Sequence, residues 1–558
     1  MSQRMTGARF IAESLKSYGV THVFFVEAIL RKSLMEMDSL GIARVLTHSE
    51  KAAAYMADGY ARAGRKPGVC MAQSVGAANL ASGLQEPFLG HAPVVALTGR
   101  AALAGEHRHA YQEVRHAPLF AAVTKSSAAV TTLEQLPRLL RQAFRDATTG
   151  MPGPAHLDLL GHQAQTIESP EADLAVVAES AYSRIPPHRP APELAAVRRA
   201  AHALLQAERP VIVAGGGVTA SSAGPELTAV AERLQIPVVT SLNGKESLLD
   251  SHPLNIGLVG RYSRWCANRL VSEADLVFFV GSTAGEHTTN GWRIPAPGTA
   301  TVQIDIDPAE LGRSYPNLAG IAGDAKVSLA MLLGELPARP ASAWTARAQL
   351  LLADWRRELE PLRTSDATPI RPERLCKELT DTLPPNAILV ADTGYSAIWA
   401  GTMVHLTHPD QRFLRCAGSL GWGFPGALGA KCGTPDRPVI CLTGDGGFWY
   451  HLSELETARR CGIATVTVVN NNAALGQCLG PVRKMYGDRA GHPEALYRFQ
   501  SVDFARIAEE MGCFGIRAEK PAEIAPAIRA ALAANRPAVV DVVTDVACPA
   551  PEPWAPSA

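Results

Sequence analysis

The sequence predicts an α/β protein built from three parallel-sheet domains. Apolar strands of four to eight residues alternate with longer stretches of helical periodicity. That alternation restarts twice, each time after a polar break. The length, 558 residues, agrees, because a single core stops growing well before that size.

The first block, residues 1–165, opens on "MSQRMTGARFIAESLKSYGV", in which polar and apolar residues alternate at helical spacing. No uninterrupted apolar core occurs there, so no secretory signal is read. "VTHVFFV", "GVCMAQS", "APVVALTG" and "GPAHLDLL" supply its strands. The following "ESPEADLAVVAESAYSRIPPHRPAPE" is rich in Pro and charge and reads as a linker. Residues 191–340 form the second block, with strands "RPVIVAGGG", "IPVVTSL", "ADLVFFVG" and "ATVQIDID". A polar stretch, "ARPASAWTARAQ", precedes a helix-rich passage. The third block, residues 371–546, runs through "NAILVADTG", "PVICLTGDGG", "ATVTVVNNN" and "PAVVDVVTD", and "ACPAPEPWAPSA" reads as a tail.

Hydrophobic residues make up 47% and charged residues 19%, with zero net charge, which excludes a disordered or nucleic-acid-binding chain. No run reaches ~18 apolar residues, so no membrane span is expected. Ten scattered cysteines without a paired framework read as reduced thiols of a cytoplasmic protein.

Chemistry concentrates in "LTGDGGFWYHLSELETARRCGIATVTVVNNNAALG", residues 442–476. A buried strand runs into glycines around Asp445, a helical pattern closes at Gly462, and a second strand ends in Asn470–Asn472. Asp445 and the asparagines therefore belong at the carboxyl ends of two parallel strands, where open α/β sheets bind ligands. A carboxylate, an amide oxygen and a backbone carbonyl are hard ligands suited to Mg²⁺, which bridges to phosphates. The glycines let phosphate oxygens approach backbone N–H groups.

"GDG" followed by the 27-residue step from Asp445 to Asn472 resembles the signature of thiamine-diphosphate enzymes. "HSEKAAAYMADGYARAG" (48–64), "ANLASGLQEPFLGHAPVVALTG" (78–99), "YQEV" (111–114) with "VTK" (123–125), "GPAHLDL" (153–159) and "GWGFPGALGAK" (421–431) resemble that superfamily's acetolactate-synthase-like branch of decarboxylases and carboligases. The resemblance covers almost the whole chain. It implies a pyrimidine-binding domain over 1–165, a central nucleotide-binding-like domain over 191–340 and a diphosphate-binding domain over 371–546. It also implies a homodimer or homotetramer with its active site at the subunit interface.

Carried onto this sequence, the resemblance implies Mg²⁺ held by Asp445, Asn472 and the Ala474 carbonyl. Gly394, Tyr395, Ser396, Gly418, Gly444, Gly446, Gly447, Leu475 and Gly476 would contact the cofactor. Relatives usually carry Gln-His where this chain has Tyr395-Ser396. Leu420 stands where the family bends the cofactor with a bulky aliphatic side chain. Glu50 would be hydrogen-bonded to a ring nitrogen of the aminopyrimidine and set up proton removal from the thiazolium carbon. Ser49-Glu50 also reads as an N-cap followed by a first-turn acid.

Relatives often read "FGxPG" and "TSGPGATN" where this chain has "FFVEAILRK" (24–32) and the shorter "QSVGAAN" (73–79). The pocket is therefore expected to be remodelled, with Glu27, Gln73, Tyr111 and Gln112 as candidate substrate contacts. Glu27 reads equally as a surface charge. His22, His48 and His116 read as structural. "RPVIVAGGGVTAS" raises a nucleotide question, but FAD is not expected, because "GSTAGEHTTNG" (281–291) replaces the family's Arg-Phe-Asp-Asp run.

The function expected is thiamine-diphosphate- and Mg-dependent decarboxylation of a 2-oxo acid, with transfer of the fragment to a second carbonyl compound. Simple decarboxylases of the superfamily place adjacent histidines near the cofactor. This chain has no His-His pair, and Gln112 would face the donor fragment. The alternatives are a 2-hydroxyacyl-CoA or oxalyl-CoA lyase and a simple decarboxylase. A non-catalytic protein of the same fold is the competing class.

Overall fold

The computed structural model describes residues 2–556. Three sheets, each of six parallel strands, carry the architecture. Across the first sheet the strands are Ala43–Leu46, His22–Phe25, Gly68–Ala72, Val94–Arg100, Ala155–Leu160 and Ser126–Val130. Across the third they are Arg412–Arg415, Ile388–Ala391, Val439–Gly444, Val466–Asn471, Ala538–Val543 and Phe514–Ala518. Numbered in chain order, both sheets read 2-1-3-4-6-5. In each, the winding reverses between the first and third strands, which opens a crevice at their carboxyl ends.

The middle sheet reads 3-2-1-4-5-6, through Asn255–Leu258, Val238–Thr240, Pro210–Ala214, Leu276–Val280, Ala300–Asp305 and Asn317–Ala322. Helices cover both faces, so strands such as Gly68–Ala72 and Pro210–Ala214 are buried along their whole length. At this sheet's reversal, Gly215–Gly217 and Gly281 border a cavity of about 400 Å³ that Asp305 and Arg415 also line.

Two expectations change. Gln3–Thr6, read as helical, is a strand, and it pairs antiparallel with Glu171–Leu174, inside the stretch read as a linker. Both strands are four residues long, too short to display a period, and only the fold brings them together. Thr6 then caps the helix Gly7–Ser17 by accepting from the Arg9 amide. The polar stretch "ARPASAWTARAQ" is half helix: Ser342 and Thr345 form a capping box that starts Ala343–Arg363. Trp344, Ala348, Leu351, Leu352 and Trp355 face inward there, while Arg356, Arg357, Glu358 and Glu360 face water.

The tail is tied down. Asn268 and Asn290 of the central domain donate to the Trp554 carbonyl at 2.8 and 3.3 Å. Ala550 is buried.

The first and third domains meet through the helices Glu50–Gly64 and Gly423–Gly433. A Cβ on Gly59 would lie 1.9 Å from the Gly426 carbonyl, and one on Gly429 1.9 Å from that of Met56. Only glycine allows so close an approach. Asp58, on the same helix, takes bonds from Arg62 at 2.7 and 2.8 Å and from the Trp422 indole at 2.9 Å. The "ADGYAR" segment is thus the seam between two domains. No helix among the described residues is long and apolar enough to cross a membrane.

Candidate active site

The crevice of the third sheet gathers the residues expected to bind cofactor. After the first strand, Gly394 (φ +66°) turns the chain into the helix Tyr395–Met403. After the third, Gly444 leads into Asp445–Trp449. A Cβ on Gly444 would lie 3.5 Å from Ser396 Oγ. One on Gly446 would strike Leu475 at 2.5 Å, and one on Gly476 would meet Asn472 Nδ2 at 3.2 Å and Tyr395 at 3.3 Å. The chain segments around Gly394, Asp445 and Asn472 therefore form one cradle, lined by backbone where side chains would block it.

Asp445 is 2% exposed, and burial pushes its carboxyl up to about 7. Amides of Gly446 and Ala474 offset part of that rise; the Ala474 N–H reaches Asp445 Oδ2 at 3.0 Å. Among the described residues no cationic side chain pairs with it. The three asparagines separate by role. Asn470 accepts from the Thr544 hydroxyl, and Asn471 donates to Asp541 at 2.8 Å and to the Val502 carbonyl at 2.9 Å. Asn472 alone keeps a buried Oδ1 without a partner. A buried acid and an unsatisfied amide oxygen at the ends of two paired strands fit a cation, and the glycine cradle fits a diphosphate.

Leu420 sits between two clamps that the sequence did not reveal. Glu86, fully buried on the first domain's helix Gly76–Leu89, accepts from the amides of Ala417 at 2.6 Å, Gly418 at 2.8 Å and Ser419. Asp392 accepts from Gly421 at 3.1 Å and Gly423 at 3.0 Å. Burial pushes Asp392 up to about 6. The one available signal was "ADTG", where Asp392 stands two residues before Gly394.

The first sheet's crevice gathers the other set. Ser49 caps the helix that begins at Glu50, accepting from the Ala52 amide at 3.1 Å, so the capping reading of Ser49-Glu50 is realised. The Glu50 carboxylate is half-buried, and Asn79 Nδ2 donates to it at 3.1 Å. A Cβ on Gly76 would lie 2.4 Å from Glu50 Oε1. Gln73 opens the Gly76 loop, and Ser74 Oγ donates to the Gln112 carbonyl at 2.6 Å. Gln112 is half-buried with φ +58°, and Tyr111 is 80% exposed.

Glu27 is bonded elsewhere. Its carboxylate pairs with Arg31, four residues along at the start of the next helix, at 2.9 Å, and among the described residues it has no bond to Glu50, Gln73 or Gln112. His22 stacks on Phe24, and burial lowers its pKa. His48 bridges to the third domain through Glu456 at 2.9 Å, while its backbone amide meets Glu454 at 3.0 Å.

Three family models match the chain. The thiamine pyrophosphate enzyme N-terminal TPP binding domain covers residues 5–119, the central domain 197–332 and the C-terminal TPP binding domain 392–542. A probable acetolactate synthase large subunit of Methanocaldococcus jannaschii is 34% identical over 97% of this chain and 92% of its own length. The acetolactate synthase large subunit of Corynebacterium glutamicum is 31% identical over 97% and 87%. A glyoxylate carboligase of Escherichia coli O157:H7 is 32% identical over 91% and 86%.

Proposed function

Because this chain belongs to the thiamine pyrophosphate enzymes, in their acetolactate-synthase-like branch, we propose that it is a carboligase acting on a 2-oxo acid donor and a second carbonyl compound. Thiamine diphosphate supplies the electron sink for loss of CO₂ from the donor. Asp445, Asn472 Oδ1 and the Ala474 carbonyl hold Mg²⁺. The backbone around Gly394, Gly444, Gly446, Gly447 and Gly476, with the Ser396 hydroxyl, receives the diphosphate. Tyr395 and Leu475 wall the cradle, and Leu420, fixed by Glu86 and Asp392, sets the shape of the cofactor. Glu50 holds a proton at the aminopyrimidine ring nitrogen.

A second copy of the chain completes the site. Each half-site carries only part of the set, and each is edged by exposed apolar side chains: Val75, Phe88 and Tyr111 on one, Trp449, Tyr450 and Phe499 on the other. The first and third domains are the pyrimidine- and diphosphate-binding units, with limits near 1–165 and 371–546, and the central unit spans 191–340.

The observation that carries the carboligase outcome is Gln112, whose backbone carbonyl is held by Ser74 in the loop that lies against Glu50. A carboxamide cannot deliver a proton near neutral pH, so carbon–carbon bond formation outruns aldehyde release when an acceptor is present. Product analysis tests this, with pyruvate or glyoxylate as donor and several aldehydes or oxo acids as acceptors. Free aldehyde dominating under saturating acceptor would replace this reading with a decarboxylase or lyase.

A further inference from the structure

We propose that His116 is a positioning residue for the donor side of the active site, acting through Ser74 on Gln112. The proposal rests on the reading that Gln112 faces the donor.

The His116 side chain is wholly buried, where a histidine needs a reason to be. Its Nδ1 lies 2.9 Å from Asp158 Oδ1 and its Nε2 2.9 Å from the Ser74 carbonyl. Both partners are acceptors, so both ring nitrogens are placed to donate. Behind the pair, the Thr98 hydroxyl donates to Asp158 Oδ1 at 2.9 Å and meets His156 Nε2 at 2.7 Å. His156 Nδ1 meets Ser127 Oγ at 2.8 Å. Burial holds His156 down to about 3, so it stays neutral and joins two hydroxyls, donating at one nitrogen and accepting at the other. Arg100 stands 4.0 Å from Asp158 Oδ2 and is itself paired with Glu106.

In front of His116 the chain of bonds continues to the pocket. The carbonyl that His116 grips belongs to Ser74, whose hydroxyl holds the Gln112 carbonyl at 2.6 Å. Gln112 has φ +58°, a left-handed conformation that a non-glycine residue keeps when its surroundings enforce it. Ser74 also adjoins Gln73 and shares its loop with Gly76, which lies against Glu50. The buried His116–Asp158 contact therefore fixes the loop that meets the catalytic carboxylate and the backbone that aims Gln112. A one-ångström slip at such a place is worth as much as a lost contact.

The test compares full-length wild type with His116→Ala, Ser74→Ala, Gln112→Ala and the His116→Ala/Gln112→Ala double variant. Thiamine diphosphate and Mg²⁺ are present, and the donor is whichever of pyruvate and glyoxylate is turned over. His116→Ala and Ser74→Ala should each raise donor KM about tenfold, with kcat falling less and cofactor affinity unchanged. In the double variant His116→Ala should add little to the effect of Gln112→Ala. Hydrogen exchange read by mass spectrometry, with and without cofactor, should quicken in residues 73–79 and 110–114 and not across the third domain. Ser74→Ala leaves the His116–Asp158 pair intact, so it decides the matter even if His116→Ala does not fold. Unchanged exchange in both loops, or penalties that add in full, would overturn the relay. A Gln112→Ala variant with wild-type donor kinetics would instead overturn the placement of Gln112 at the donor, whatever the exchange data show.

Discussion

The Ala474 backbone amide donates to the Asp445 carboxylate at 3.0 Å, joining two of the three residues expected to hold one metal ion. They belong to different strand ends, and the helix Glu454–Arg460 lies between them in the chain. Asn472 Oδ1, at the end of the strand that pairs with the one leading to Asp445, is buried without a partner.

Asp445→Ala should therefore abolish thiamine diphosphate binding, because the diphosphate loses its metal bridge. Calorimetric titration with Mg²⁺ present checks this, and wild-type affinity would refute the metal assignment.

Glu50→Gln should keep the fold, since Ser49 still caps the helix, and keep much of the cofactor affinity. Proton exchange at the thiazolium carbon of bound cofactor should slow by at least ~10²-fold. NMR follows that exchange directly; an unaltered rate would leave Glu50 as a first-turn helix acid only.

Asp392 gives a pH signature. Its carboxyl titrates at about 6 in the fold, against about 3.9 for an unfolded aspartate. Between these values the folded state keeps a proton that the unfolded state has released, so this group's contribution to stability falls as pH rises from about 4 to 6. Asp392→Asn removes that dependence. Its melting temperature minus that of wild type should climb across this window and level off above about 7. A difference that stays constant, or falls, would show that Asp392 is ionised throughout. Cofactor affinity should also drop in the variant, because the amides of Gly421 and Gly423 lose charged acceptors next to Leu420.

The purified protein should be colourless in the flavin region. "GSTAGEHTTNG" offers no Arg-Phe-Asp-Asp run, although the central sheet's crevice encloses about 400 Å³. An absorption spectrum with stoichiometric flavin would assign that cavity to FAD.

Local pattern made the fold class and the cofactor cradle legible. Strand and helix periods are set by nearest neighbours along the chain, and "GDG" with its asparagines is one strand–helix–strand unit. Its parts are close in sequence as well as in space. The pairing of Gln3–Thr6 with Glu171–Leu174 was hidden, because each strand finds its partner only after the domain has closed. Which of three adjacent asparagines keeps a free oxygen was hidden too. Thr544, Asp541 and Val502 decide it, and each lies at least 31 residues away from its asparagine in the chain. The same holds for Glu86, whose carboxylate satisfies amides 331–333 residues away and so fixes Leu420. Glu27 and Gln73 looked alike as loop residues after parallel strands. Their bonds differ: Arg31, four residues on, takes Glu27, while Gln73 shares the loop that lies against Glu50. A buried polar group must find a partner wherever the fold supplies one, and no local pattern encodes where that is.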